Sequence, residues 1–310
     1  MQWRETMQLE KVQWFSPVDN LNIHLVVAQP DEGEIKGVIQ ILHGMSEYIM
    51  RYRPMMEYFT SQGYVVAGND HRGHGESVWS EDDLGYFYDD TGTGIVRDAV
   101  AITQYLKERF PGVPVTLFGH SMGTLVARVY LQKNDRLVDK VVLCGAPCKN
   151  ALAPIALMLT SLITLIRGEK HRSKLLYSLS VGAFDKRFEA EGVSAWLSKN
   201  KKNVERYKED PYCGYTFTCN GYRNLFLLLD NTYKRRYRLR NPGLPIFFMA
   251  GADDPVIGSE KAWEKAQDAL RAAGYENVDG KLYMGVRHEL FNEEKPEKYY
   301  EDMLKFIEKD

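Results

Sequence analysis

The chain has 310 residues, 44% of them hydrophobic, which suits one large α/β domain, or one such domain carrying an inserted lobe, around a sizeable core. Its opening Met-Gln-Trp-Arg-Glu-Thr lacks the order of a signal peptide, and the longest uncharged apolar run, 151–166, falls short of the roughly 20 residues a bilayer crossing takes, so a cytoplasmic protein is expected. The formal charge is −2, and four cysteines (Cys144, Cys148, Cys213, Cys219) are too few for a disulfide framework and lack zinc-ligand spacing, which leaves buried, reduced thiols as the expectation.

Residues 12–15 and 21–28 alternate as an antiparallel hairpin turning at Pro17-Val18-Asp19-Asn20. Residues 37–42 read as a short apolar strand ending at His43-Gly44. A helix over 52–61 is closed by Gly63, and the next strand, 64–67, ends at Asp70. In the Gly-rich loop beyond it, His71 and His74 stand three apart. Metal binding can use that spacing, but packing behind the preceding strand, with Asp70 and Arg72 paired, is the expectation. Thr91-Gly92-Thr93-Gly94 lacks the Gly-Lys-Ser/Thr ending of a phosphate loop and follows no strand directly. It is read as leading into the amphipathic helix 95–110, which stops before Pro111. A buried strand over 115–118, a helix over 124–131 and a strand over 138–143 follow. This alternation predicts a mainly parallel central sheet with helices on both faces.

The rhythm breaks between 149 and 240, a block with 18 Lys and Arg against 8 Asp and Glu, while the remainder holds 22 against 34. So lopsided a block marks a separate lobe. The expected organisation is a core made of 1–148 and 241–310 with an inserted, mostly helical cap over 149–240. The alternation resumes with strand 245–249, helix 259–273, strand 281–284 and helix 297–308.

Chemistry concentrates in Gly119-His120-Ser121-Met122-Gly123, between a strand and a helix. That context holds a nucleophilic hydroxyl exposed on a strained turn, and any Cβ on the flanking glycines would collide where the two backbones converge. A serine hydroxyl needs an imidazole to take its proton, and the imidazole needs a carboxylate to fix its tautomer. Beyond Ser121 lie only His171, in a charged stretch with no strand leading into it, and His288, which follows strand 281–284 after Gly285-Val286-Arg287. His288 is read as the base. The acid is expected after strand 246–251, at Asp253-Asp254. Paired carboxylates can hold a metal, but no His or second acidic cluster lies nearby in sequence, and spacing favours Asp254 as the orienting acid. The developing oxyanion calls for backbone N–H donors, expected from Met122 and from Met45, where Gly44 lets the backbone approach closely. The His120 side chain is expected to point away from the site.

Taken together, His43-Gly44-Met45-Ser46-Glu47, Asn69-Asp70-His71-Arg72-Gly73-His74-Gly75-Glu76-Ser77, the Ser121 motif, Gly251-Ala252-Asp253-Asp254-Pro255-Val256 and Arg287-His288-Glu289 resemble the monoacylglycerol lipase and lysophospholipase branch of the α/β-hydrolases, the serine aminopeptidase-like branch. The resemblance spans nearly the whole chain. It implies an α/β-hydrolase fold, Ser121 as nucleophile, Asp254 as acid, His288 as base, and Met45 and Met122 as oxyanion donors. It also implies hydrolysis of acylglycerols or lysophospholipids with neither cofactor nor metal. Residues 210–218 look like bacterial members known as lysophospholipases. The alternatives are a short-chain carboxylesterase or a peptidase of the same fold, although an aminopeptidase needs a cap carboxylate for its substrate's amine and this cap is poor in acids. Epoxide hydrolases and dehalogenases use an aspartate nucleophile, against which Ser121 argues. The complete triad argues against a non-catalytic binding protein.

The run 151–166 is apolar nearly all round, unlike a surface helix. It is either buried beneath the cap or lines an acyl groove and touches membrane. On the second reading Leu152, Ile155, Leu159 and Phe217 bind substrate, with Tyr222, Phe226 and Leu229 as further walls or as cap core. Tyr233-Lys234-Arg235-Arg236-Tyr237-Arg238-Leu239-Arg240 interleaves aromatics with cations. In this frame no nucleic acid is expected. Peripheral contact with an anionic membrane is the hypothesis, and an exposed apolar cap face would equally favour a homodimer.

Overall fold

The computed structural model describes residues 7–234 and 237–309, so Arg235 and Arg236 of the cationic run lie outside the described residues. The N-terminal hairpin is β1 (Met7–Phe15) and β2 (Asn22–Pro30), longer than its alternating pattern because an edge ribbon continues past its apolar positions. Then come β3 (Gly37–Leu42), α1 (Arg53–Ser61), β4 (Tyr64–Asn69), α2 (Gly94–Arg109), β5 (Val115–His120), α3 (Met122–Asn134) and β6 (Lys140–Cys144). Between β6 and the return to the sheet the described residues form the α-helices α4 (Ala153–Arg167), α5 (Lys174–Leu179), α6 (Gly182–Arg187), α7 (Lys201–Glu209) and α8 (Cys219–Thr232). The chain returns to the sheet with β7 (Ile246–Gly251), α9 (Glu260–Arg271), β8 (Val278–Tyr283) and α10 (Glu297–Glu308).

The eight strands are ordered β1-β2-β4-β3-β5-β6-β7-β8; β2 pairs antiparallel with β1 and β4, and all pairings from β4 to β8 are parallel. This is the α/β-hydrolase fold. Every residue of β3, β4 and β5 is buried, as in strands covered on both faces. Alternate side chains feed two cores. Leu117 joins Ile102 and Leu106 of α2, Val126 of α3 and Leu270 of α9, whereas Phe118 joins Met56 and Phe59 of α1 and Tyr300 and Met303 of α10.

The expected Asp70–Arg72 pair does not form. Asp70 pairs with His24 and accepts the N–H groups of Ile49 and Glu76, each at 2.8 Å. Arg72, entirely buried, reaches the hairpin and α2 instead: Nε donates to Asp98 at 2.8 Å and Nη1 to Asp19 at 2.9 Å, while Ser16 Oγ accepts from Nη2 and donates to Asp98. The local sequence suggested a neighbour, but a buried guanidinium takes the carboxylates that the fold brings to it.

The insertion is anchored as well as attached. Phe217, Tyr222 and Phe226 pack into the main core with Phe87 and Leu125, and a smaller cluster ties Trp196, Leu197 and Tyr207 to Val256 of the sheet's loops. Helix α4 is neither buried nor a lining of the interior. It turns Ala153 and Thr160 inward and leaves Leu152, Ile155, Met158, Leu162, Leu165 and Ile166 more than half exposed. Among the described residues no helix is long and apolar enough to cross a membrane.

Candidate active site

Strand β3 leads to β4 on one side of the sheet and β5 lies on the other. The crevice outside their carboxyl ends is therefore a topological switch point, where ligands bind in open α/β sheets. Ser121 sits there at φ 51°, ψ −117°, between β5 and α3. A Cβ on Gly123 would come within 1.9 Å of the Leu42 carbonyl oxygen, and one on Gly119 within 2.7 Å of the Gly123 carbonyl, so only glycine fits at either flank. The Ser121 N–H donates to the Cys144 carbonyl on β6, and the Ser121 carbonyl accepts from the Thr124 N–H and hydroxyl. The strained turn at Ser121 is over-determined by its surroundings.

His288 and Asp254 are both buried, and the His288 Nδ1 lies 2.8 Å from Asp254 Oδ2; Asp254 Oδ1 accepts the Val256 N–H. Nδ1 therefore carries the proton and Nε2 is free for a hydroxyl. Burial alone would lower the His288 pKa, but the Asp254 charge and hydrogen bond override it and raise it above 6.5. Asp253 turns away and pairs with Lys199, so the two adjacent carboxylates diverge. Among the described residues no three His, Cys, Asp or Glu side chains converge as metal ligands would. Gly251, which opens the motif around Asp254, and Gly145, which no motif marks, both crowd the site's loops. A Cβ on Gly251 would come within 2.2 Å of the Val286 carbonyl oxygen, and one on Gly145 within 2.8 Å of His288 Cε1. For Gly145 the only signal in the sequence is a glycine at the end of a strand.

Contrary to the sequence expectation, His120 does not point away. Its ring lies 4.6 Å from that of His288 and lines the same cavity, because the residue before a turn nucleophile shares the sharp bend. Burial and the adjacent His288 bring its pKa down to about 4, so it is neutral.

Met122 is the first residue of α3, whose N–H has no acceptor within the helix. Met45 lies on the loop after β3, where Gly44 leaves room for the approach: a Cβ there would meet Glu47 Oε1 at 2.7 Å and Ser121 Cβ at 3.3 Å. Both methionines line the cavity with Ser121 and His288. Behind this loop, His43 Nε2 accepts the His71 N–H at 2.9 Å, and the His43 ring packs against those of His71 and His74 at 4.2 and 5.1 Å. Burial lowers the pKa of all three, which makes them neutral packing groups.

The cavity has a volume of about 460 Å³. Its lining includes the apolar side chains of Leu125, Val181, Phe184, Leu225, Phe226 and Leu229 and the polar ones of Ser46, Glu47, Tyr207 and Glu289. Leu152, Ile155, Leu159 and Phe217, the substrate-binding residues expected from sequence, are not among its lining. Leu152 and Ile155 face outward, Leu159 is half-buried against the core, and Phe217 is fully buried between His74, Phe87 and Tyr222. Of the further candidates, Phe226 and Leu229 do line the cavity and Tyr222 does not.

The fold, the nucleophile turn and the carboxylate-held histidine define a serine hydrolase of the α/β class. Residues 33–295 match the family described as serine aminopeptidase, S33, and the chain belongs to that family, among hydrolases of the monoacylglycerol lipase and lysophospholipase type. It is 26% identical over 299 residues to the monoacylglycerol lipase of Mycolicibacterium smegmatis, covering 94% of this chain and 95% of that one. With the human monoglyceride lipase it shares 26% identity over 84% of this chain and 78% of the relative. A thermostable carboxyl esterase from Bacillus coagulans, solved with glycerol bound, superposes with a TM-score of 0.87 at 23% identity, over 97% of this chain and 98% of that one.

Proposed function

We propose that the protein hydrolyses the ester bond of single-chain lipids, monoacylglycerols first among them, through an acyl-enzyme on Ser121. One observation carries this reading: a single cavity holds Ser121, His288, Met45 and Met122 together with the apolar side chains of Leu125, Leu225, Phe226 and Leu229. His288 takes the Ser121 proton on Nε2 as Oγ attacks the ester carbonyl carbon. The former carbonyl oxygen takes up negative charge between the Met45 and Met122 N–H groups. Collapse breaks the ester C–O bond and His288 returns its proton to the leaving alcohol. Water then attacks the acyl-serine and gives a proton to His288; the bond to Oγ breaks as His288 returns that proton to Ser121, and the carboxylic acid is released.

The lining favours a neutral headgroup over a phosphate, since Glu47, Asp185 and Glu289 face the cavity with Lys149 as their cationic counterpart. These carboxylates are already engaged, by Gly44 N–H and Arg51, by Tyr177 and Ser194 N–H, and by Arg51 and Asn203 respectively. That leaves them poorly suited to receive the free amine of a peptide. The relatives named as monoacylglycerol and monoglyceride lipases support the same substrate class.

Residues 149–240 act in this reading as the cap over the site. The outward apolar face of α4 and the cap's excess of cations support peripheral contact with an anionic lipid surface, with self-association through the same face as the rival outcome. Four unpaired thiols fit a reducing, cytoplasmic setting. The test is a series of p-nitrophenyl esters from acetate to palmitate with Ser121→Ala as control, followed by monoacylglycerol against lysophospholipid. Turnover peaking at medium or long chains and abolished in Ser121→Ala supports the proposal; a peak at acetate favours a short-chain esterase.

A further inference from the structure

Three loops must agree for this chemistry: the one after β3 with the Met45 amide, the Ser121 turn, and the one after β8 with His288. A single guanidinium joins the first to the third. Arg51, whose side chain is 9% exposed, donates from Nη1 to Glu47 Oε2 and Glu289 Oε1, each at 2.7 Å, and from Nη2 to Glu289 Oε2 at 2.8 Å. The other Glu47 oxygen accepts the N–H of Gly44, the residue before Met45, and the Tyr52 hydroxyl. Glu289 directly follows His288.

The cap enters the same cluster. Asn203 of α7 donates to Glu289 Oε2 at 2.6 Å and accepts from Arg51 Nη2 at 3.2 Å. Tyr207, one turn further on, presents its ring to the guanidinium at 4.9 Å. The Glu289 N–H donates to the carbonyl of Leu197, also from the insertion, at 2.8 Å. Arg51 is not among the residues lining the cavity, so whatever it contributes passes through the groups it holds.

We propose that Arg51 is a positioning residue for the ester hydrolysis: through Glu47 and Glu289 it fixes the Met45 amide and the His288 ring relative to each other, and through Asn203 it makes that register depend on the seating of α7. The inference rests on the triad reading above. A planar fork can hold two carboxylates at once, which an ammonium on a flexible stem cannot reproduce. Arg51→Lys therefore keeps the charge and removes the register.

With p-nitrophenyl butyrate, Arg51→Lys is expected to lower kcat about tenfold or more with KM within about twofold, since small misplacements of reacting groups are costly. Fluorophosphonate labelling of Ser121 should slow by the same factor, with circular dichroism and melting midpoint close to those of the parent. Asn203→Ala should lower kcat less, and the double variant should fall no further than Arg51→Lys alone, because both act through one contact. Parental kcat in Arg51→Lys overturns the inference. Should Arg51→Lys fail to fold, Glu289→Gln decides in its place: a fall in kcat at constant KM is expected, and an unchanged kcat overturns it. Ser121→Ala, assayed alongside, separates the two readings. Activity surviving in Ser121→Ala sinks the triad, whereas an inactive Ser121→Ala beside a parental Arg51→Lys sinks the positioning role alone.

Discussion

Gly145 matters for the side chain it lacks. It sits at φ 62°, and a Cβ there would stand 2.8 Å from Cε1 and 2.9 Å from Nδ1 of His288. Gly145→Ala is expected to push the imidazole off Asp254, lowering kcat/KM by about a hundredfold or more while the protein stays folded by circular dichroism. Asp254→Asn should cost about 10³–10⁴-fold in kcat by leaving His288 in the wrong tautomer. In the proposed mechanism His288 must be neutral to accept the Ser121 proton, and Asp254 raises its pKa above 6.5 against the effect of burial. Activity should therefore fall as pH drops through a midpoint above 6.5, and a kcat/KM profile with its acid limb below that value would contradict the assignment. The sequence points to Ser121, Asp254 and His288 because each follows a strand, and the structure sets His288 against Asp254 and lines one cavity with Ser121 and His288. Arg51 and Glu289 were not legible, because they meet across 238 positions and no local pattern joins them.

The elements themselves were mostly readable. Helix 297–308 matches α10 at both ends, and α2 is displaced by one residue from the expected 95–110. Gly and Pro punctuation, together with short β-branched runs, carry that information. Helix α4 shows where it stops. With apolar residues nearly all round there is no polar stripe to say which side faces solvent, so the residues expected to hold substrate point away from the cavity. The same exposure makes α4 easy to test. Replacing Met158, Leu162 and Leu165 with Gln should change stability by no more than about 0.5 kcal/mol each, as at other exposed sites. Turnover of a water-soluble ester should hold, while sedimentation with lipid vesicles is lost; vesicle binding that survives the triple change would remove α4 as the contact.

Charge is distributed by lobe, with 18 Lys and Arg against 8 Asp and Glu between 149 and 240 and an acidic excess elsewhere. Such a molecule should orient on an anionic surface, cap first, at roughly 1 kcal/mol for each cation brought close. Binding to anionic vesicles is expected to exceed binding to neutral ones and to weaken from about 0.05 to 0.5 M salt as the screening length shortens. Equal binding to both would instead assign the contact to apolar insertion alone. The whole fold was legible as an alternation of strands and helices interrupted once. Its sheet order was not, because order is fixed by which buried faces match across long stretches of chain.

The family match begins at residue 33, beyond the N-terminal hairpin, yet Arg72 draws Asp19 and Ser16 from that hairpin into the interior. A chain trimmed to residues 33–295 would keep Asp98 on the buried Arg72 guanidinium but lose its Asp19 and Ser16 partners, at about 1–3 kcal/mol for a buried polar group left unpaired. Set against a total stability of about 5–15 kcal/mol, that loss, together with the buried Leu21, Ile23 and Leu25 that would go with the hairpin, is expected to lower the melting midpoint of the trimmed protein. The hairpin is therefore a working part of the architecture, and attempts at a minimal enzyme must keep it.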